Sequence, residues 1–386
     1  MKQKICFITG SRAEYDLLYH TLSAFKNDKQ FHLSIVVTGM HLEKKFGFTY
    51  KNILKDGFKI SKKIKILSNN DSAYGVAQAV SKGFNKFGMF FKKFKPDLIV
   101  VLGDRYELLA PVYTANIFRI PICHIHGGEL SEGVIDENTR HAISKLSNIH
   151  FVAHKDYKHN LLQMGEDEKK IFIVGGLGVE NLKKIKFLSK KKIESLKKFK
   201  FLNKNILVTF HPLSLKENSD IKQLDSLLSS LKKLKETRII FTMPNSDTNN
   251  DLFFKKIYKF ISDNSNAISF KSLGSQIYLS IVKSVDFVIG NSSSGLLEVP
   301  SLRIPTINIG ERQNFRLKAS SVIDCKPNSN SINLAIKKAY SKNFKKITKK
   351  TKNPYDNQIQ SSKKILKIIK KINYTNLLIK KFKKIR

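Results

Sequence analysis

The sequence of 386 residues predicts an α/β protein made of two doubly wound blocks, each a parallel sheet with helices on both faces. Three observations carry this. Short apolar runs alternate with helix-period stretches, which is the pattern of a parallel sheet. The alternation breaks at a lysine-rich stretch, 177–204, and then resumes. Nearly every apolar run in the first block ends in glycine, histidine or aspartate, and such sheets bind ligands at the carboxyl ends of their strands.

In order, the first block predicts strands at 4–10 (KICFITG), 33–39 (LSIVVTG), 97–104 (DLIVVLGD), 121–128 (PICHIHGG), 149–154 (IHFVAH) and 171–176 (IFIVGG). Helices are expected near 14–27, 72–95, 106–117, 138–147 and 156–164. The stretch 177–204 reads as a hinge and one solvated helix. The second block predicts strands at 205–212, 238–245, 286–293 and 305–312, with helices near 219–235, 249–263, 274–284, 294–300 and 331–341. After Pro354, the spacing of Ile365, Leu366, Ile368, Ile369 and Ile372 predicts an amphipathic helix over about 355–373, docked on the first block. The expected domains are 1–177 with that helix, 178–350, and a basic tail at 374–386 whose end frays.

Composition narrows the function. No segment reaches the roughly 18 continuous apolar residues of a membrane span. The N-terminus enters a strand at once, so no signal peptide is expected. Cys6, Cys123 and Cys325 lie far apart without metal-ligand spacing, which fits a reducing cytoplasm, and Cys123 reads as buried and inert. The net charge of +39 suggests nucleic acid, but only nine of the 70 basic residues are arginine, the side chain for bidentate base contacts. The excess is also uneven. Residues 331–386 hold 18 Lys/Arg against one acid, whereas 101–150 hold four against six. Lysine filling tolerant surface is the better reading, and no specific nucleic-acid partner is expected.

Several strand ends carry chemistry. TGSRAEYDLL (9–18) is a strand, a Gly-Ser turn and a helix, whose amides and Arg12 could hold an anion; a plain strand–helix turn would look the same. GNSSSGLLE (290–298) offers helix-start amides and hydroxyls, including Ser292 and Ser293, to a phosphate, although capping alone also explains serines there. Glu298, one turn on, suits ribose hydroxyls better than a phosphate. His211 in TFHP, Asn245 in TMPN and Arg312 in NIGER close other strands. The acids come from GDRYE (103–107) and from HIHGGELSEGVIDENTRHAI (124–143): Asp104 and Glu129 follow strand ends, and Asp136 begins a helix that carries Arg140. Carboxylates crowded at strand ends raise one another's proton affinity, which suits general acid/base work.

Together with VVTGMHLEKKFGFTY, IDENTRHAISKLSNIHF, GNSSSGLLEVP and PTINIGERQ, these motifs run in one order over about residues 4–320. The sequence resembles the hydrolysing UDP-N-acetylglucosamine 2-epimerases of sialic acid biosynthesis. The resemblance implies two Rossmann-like domains facing across a cleft, the GT-B arrangement. It implies conversion of UDP-N-acetylglucosamine and water to N-acetylmannosamine and UDP, by elimination to a glycal and rehydration. Asp104, Glu129 and Asp136 would then be the acid/base set. Arg12, Arg105, His211, Ser292, Ser293 and Arg312 would hold the diphosphate, Glu298 the ribose, and Asn245 would lie along the nucleotide. His41 would approach the sugar. A UDP-sugar is the expected ligand, no metal or other cofactor is required, and a homodimer or homotetramer is expected. The same motifs fit a sister enzyme acting on UDP-2,4-diacetamido-2,4,6-trideoxyglucose, on the legionaminic acid route. A non-hydrolysing epimerase fits less well, because the acidic run here is Asp-Glu-Asn-Thr-Arg after HGGE. A GT-B glycosyltransferase is a further alternative.

Overall fold

The computed structural model describes residues 2–68, 70, 72–215, 219–243, 250–374 and 377–384. Its contacts divide the chain into two compact units: residues 1–129, 135–181 and 357–386 form the first, and 130–134 with 182–356 form the second.

The first unit holds seven parallel strands: β1 (Gln3–Thr9), β2 (Phe31–Val37), β3 (Lys62–Lys63), β4 (Leu98–Leu102), β5 (Ile122–Ile125), β6 (Ile149–Val152) and β7 (Ile171–Ile173). Their order is β3-β2-β1-β4-β5-β6-β7. The connecting helices are α1 (Arg12–Lys26), α2 (Tyr50–Lys55), α3 (Ala73–Phe94), α4 (Leu109–Ile117), α5 (Ile135–Leu146) and α6 (Lys155–Gln163). Both faces of β1 are buried, as its near-continuous apolar run requires. Ile5 and Phe7 pack in one core with Tyr15, Leu18 and Leu22 of α1. Cys6 and Ile8 point the other way, towards Phe87 and Phe91 of α3 and Val112 of α4. Each fully buried phenylalanine contributes roughly 2–3 kcal/mol of transfer free energy.

The stretch 177–204 differs from its expectation. It forms two helices, α7 (Leu177–Lys184) and α8 (Lys190–Lys197), and neither is simply solvated. Leu177, Val179 and Leu182 of α7 and Ile193 of α8 are buried, while the lysines stay outside. The division between units falls inside α7, after Asn181.

The second unit repeats the plan with β8 (Lys204–Thr209), β9 (Thr237–Thr242), β10 (Ala267–Phe270), β11 (Phe287–Gly290), β12 (Thr306–Ile309) and β13 (Val322–Cys325). The order is β10-β9-β8-β11-β12-β13, all parallel. Around it lie α9 (Ser219–Lys232), α10 (Asn250–Asp263), α11 (Gly274–Ser284), the single turn α12 (Ser294–Leu297), α13 (Ser329–Tyr340) and α14 (Lys342–Lys349). Counted within its own unit, this is the 3-2-1-4-5-6 order of a doubly wound fold, so each unit has a topological switch point, at β1/β4 and at β8/β11.

The last helix, α15 (Ser361–Lys371), is shorter than the expected 355–373, since the chain before it takes a left-handed turn at Gln358. Its N-terminus is capped from a distance. Glu180 accepts from the Ser362 backbone N–H at 2.8 Å and from its hydroxyl at 2.6 Å. The side chains of Ile365 and Ile369 complete the core below α1. The tail after it packs on the first unit and is not free-standing: Leu377 is buried, and its carbonyl accepts from Asn148 Nδ2 at 2.8 Å.

Candidate active site

In the first unit, the residues at the β1/β4 switch point and the neighbouring end of β5 converge. Asp104 follows β4, Glu129 lies four residues after β5, and α5 brings Asp136 in its first turn and Arg140 one turn later. Residues four apart share a helix face, so Asp136 and Arg140 are presented together. Arg140 is 2% exposed; it donates through Nη1 to Glu129 at 3.1 Å and through Nη2 to Asp104. Asp136 Oδ2 lies 3.9 Å from Arg105 Nη1, and Arg105 Nε lies 3.4 Å from Glu107. Glu129 and Asp136 are nearly buried, while the Asp104 side chain is 23% exposed. Four carboxylates and two guanidiniums thus form two ion-paired groups, Asp104–Arg140–Glu129 and Asp136–Arg105–Glu107, which share helix α5 through Asp136 and Arg140. In them the arginines neutralise acids that could not otherwise share a site.

The turn HIHGGE makes this possible. His126 sits at φ 64, a region that bulky residues avoid, and its Nδ1 donates to Glu129 Oε1 at 2.5 Å. Gly128 has φ 74, and a Cβ there would strike the carbonyl oxygen of Tyr157. His124, inside β5, is fully buried and held at about 3 by burial, hence neutral. Its Nε2 faces the Gly103 carbonyl at 2.7 Å, which can only accept. Nδ1 is therefore the acceptor, taking the Ser144 hydroxyl of α5 at 3.0 Å. The acid loop after β4 and the helix α5 are tied through this one ring.

Two features expected to face a ligand in the first unit are engaged within the protein in this structure. His41 is fully buried, with Nε2 3.1 Å from Thr9 Oγ1 and Nδ1 2.8 Å from Thr49 Oγ1, and burial holds it at about 3. It braces the end of β1 against Thr49. The Gly-Ser turn, expected to offer amides to an anion, already engages a carboxyl group of its own chain. Glu14 accepts from the Gly10 N–H at 2.8 Å and from the Ser11 hydroxyl at 3.0 Å, a variant of the capping box. Arg12 pairs with Asp16 at 2.8 Å and is partly exposed.

In the second unit, the β8/β11 switch point gathers His211, Asn291, the serine turn and Arg312. The Asn291 side chain accepts from the His211 backbone N–H at 2.7 Å and donates to the His211 carbonyl at 2.8 Å. Its own carbonyl accepts from Arg312 Nη1 at 3.1 Å and from Gln313 Nε2 at 2.9 Å. Ser292 and Ser293 lead into α12, and Glu298 accepts from the Ser294 hydroxyl at its end. Asn245 lies outside the described residues. Residues 130–133 also belong here. Arg316 donates to the Leu130 carbonyl at 2.7 Å and to Ser131 Oγ at 3.1 Å, and Asn314 donates to Glu132 at 2.8 Å.

A family model described as UDP-N-acetylglucosamine 2-epimerase matches residues 23–370. The chain belongs to the UDP-N-acetylglucosamine 2-epimerase family. It is 42% identical over 382 residues, 99% of each chain, to the GDP/UDP-N,N'-diacetylbacillosamine 2-epimerase (hydrolyzing) of Campylobacter jejuni. It is 36% identical over 371 residues, 95% of this chain and 94% of the other, to the polysialic acid biosynthesis protein P7 of Escherichia coli. The solved UDP-GlcNAc 2-epimerase of Neisseria meningitidis bound to UDP-GlcNAc superposes with a TM-score of 0.81 at 19% identity, covering 96% of this chain and all of that one. The fold class is accordingly GT-B-like α/β.

For this family member, sequence reasoning left Arg140, His126 and Gln313 out of the site. Arg140 was findable, since it stands four residues from Asp136 on a predicted helix. His126 and Gln313 act through a left-handed backbone and a buried amide, which no spacing announces.

Proposed function

We propose that this chain converts a 2-acetamido UDP-sugar and water to the free 2-epimeric sugar and UDP. Asp104, Glu129 and Asp136 are its acid/base set. The observation that carries this is Arg140 joining Asp104 and Glu129 while its helix presents Asp136 beside Arg105. Loss of the C2 proton to a carboxylate and departure of UDP from C1 give a 1,2-unsaturated sugar. Water then adds at C1 and a proton returns to C2 on the opposite face, so atoms balance as sugar nucleotide plus water. Coupled carboxylates titrate as a group, so the proton steps belong to the set as a whole. His211, Ser292, Ser293 and Arg312 bind the diphosphate, with Arg12 and Arg105 neutralising the departing charge; Glu298 binds the ribose. Asn245 is proposed to lie along the nucleotide.

The 42% identity to an enzyme named for N,N'-diacetylbacillosamine favours the 2,4-diacetamido-2,4,6-trideoxy sugar as substrate. UDP-N-acetylglucosamine is the second reading, supported by the likeness to the polysialic acid protein. The test is a panel of UDP- and GDP-sugars run in deuterated water. The expected products are free nucleoside diphosphate and a reducing sugar inverted at C2 with one deuterium there. Nucleotide release with unlabelled, uninverted sugar would overturn the proposal. Glu129→Gln should abolish turnover and leave UDP binding intact.

A further inference from the structure

The end of the chain is built onto the far end of α5. Lys380 Nζ donates to the carbonyls of Lys145 and Ser147 at 2.7 and 2.5 Å, the last acceptors of α5 and the turn after it. The same ammonium lies 2.7 Å from Glu166 Oε2. Glu166 is buried and also accepts from His150 Nε2 at 2.9 Å and from Lys145 Nζ at 3.1 Å. Burial works to raise Glu166, but His150 and Lys380 outweigh it and hold the carboxyl at about 2. Burial pushes His150 down while Glu166 pulls it up, and the ammonium groups of Lys145 and Lys380 both reach the same carboxylate, at 3.1 and 2.7 Å. Further along, the Phe382 ring covers Gly165, where a Cβ would run into it, and Lys145 Nζ sits 4.9 Å over the same ring. The Lys383 N–H donates to the Gly165 carbonyl at 3.0 Å.

We infer that residues 377–384 are a strap whose Lys380 fixes the C-terminal end of α5 and thereby positions Asp136 and Arg140 at its other end. The inference rests on the reading that α5 carries catalytic groups. Asp136, Arg140 and Ser144 follow one another at i, i+4 and i+8 on α5, and each has its partner elsewhere: Arg105, the pair Asp104 and Glu129, and His124. A slide of the helix therefore displaces all three at once. An ammonium is the group that a helix C-terminus favours, because the unsatisfied carbonyls and the dipole both attract it. Lys380 is in this sense a positioning residue, far from the reacting atoms.

The test uses the full chain with Lys380→Met, which keeps the apolar stem, and Lys380→Arg, which keeps the charge. With the UDP-sugar that the unaltered chain turns over, kcat of Lys380→Met should fall about tenfold, the scale of a sub-ångström misplacement. KM, and UDP affinity by calorimetry, should stay within about twofold, and Lys380→Arg should recover most of the loss. Unchanged kcat with a lowered melting temperature would overturn the inference and leave the strap a stabilising contact only. So would a loss confined to KM. Should Lys380→Met fail to fold, Phe382→Ala carries the same comparison. Failure of the functional reading is distinct: the unaltered chain would then turn over no sugar nucleotide at all.

Discussion

Arg140 and Glu129 are joined by an Nη1–Oε2 hydrogen bond of 3.1 Å, both side chains are almost wholly buried, and the other end of the same guanidinium holds Asp104. A planar fork is the one side chain that can bridge two carboxylates in this way without being deprotonated. Arg140→Met should leave two acids without their shared cation. The expected cost is about 3 kcal/mol of stability together with loss of turnover. Arg140→Lys should restore part of the stability and little activity, since an ammonium cannot fork. Urea unfolding beside steady-state kinetics measures both; equal activity of the lysine variant and the parent would refute the bridging role.

Gly128 and Gly47 make a controlled pair. Both have positive φ, at 74 and 86, but a Cβ at Gly47 meets nothing within 4 Å whereas one at Gly128 strikes the Tyr157 carbonyl. Gly47→Ala should cost only the left-handed strain, about 1–2 kcal/mol. Gly128→Ala should cost visibly more and should also move Glu129, one residue on. Melting curves of the two variants give the comparison, and equal shifts would mean that the HGGE turn relaxes freely.

Glu14 sets a pH dependence. Burial raises it to about 7 from an ordinary 4.5, with Glu107 pushing the same way against the Gly10 N–H. Between those values the folded chain holds a proton that the unfolded chain has released, so stability falls as pH rises through that window. The full loss, reached above about pH 7, is about 3 kcal/mol. Glu14→Gln should flatten this slope in denaturant titrations across the window. An unaltered slope would assign it to other groups, Asp16 first among them, which burial lifts to about 6.

The net charge of +39 predicts weak retention on a polyanion column that disappears with moderate salt, because dispersed lysines bind by counterion release without a shaped site. Retention that survives high salt, or that prefers one sequence, would contradict surface lysine as the explanation.

How far the sequence reached depends on burial. The interior strands β1, β4, β8 and β11 were legible because both faces are covered and their residues are continuously apolar. β3, β10 and β13 were not, since each has at most four residues and all three end their sheets, with mixed side chains such as Asp324. α7 was hidden because its lysines advertise solvent while Leu177, Val179 and Leu182 lie inside. In the site, acids at strand ends could be read from position alone. What could not be read was which partners complete them: Gly10 with Glu14 instead of a ligand, His41 between two threonines, and Arg140 between two carboxylates.

The clip between Glu180 and Ser362 has a consequence for how the protein is made. The first unit is assembled from three stretches of chain, and its last stretch, 357–386, emerges from the ribosome after the whole of the second unit. Until then α1 lacks Ile365 and Ile369 beneath it, and Glu180 lacks the two hydrogen bonds from Ser362. The unit begun first is thus finished last. A nascent chain stopped before residue 357 would carry a closed second unit and an open, apolar-faced first one, a natural client for chaperones.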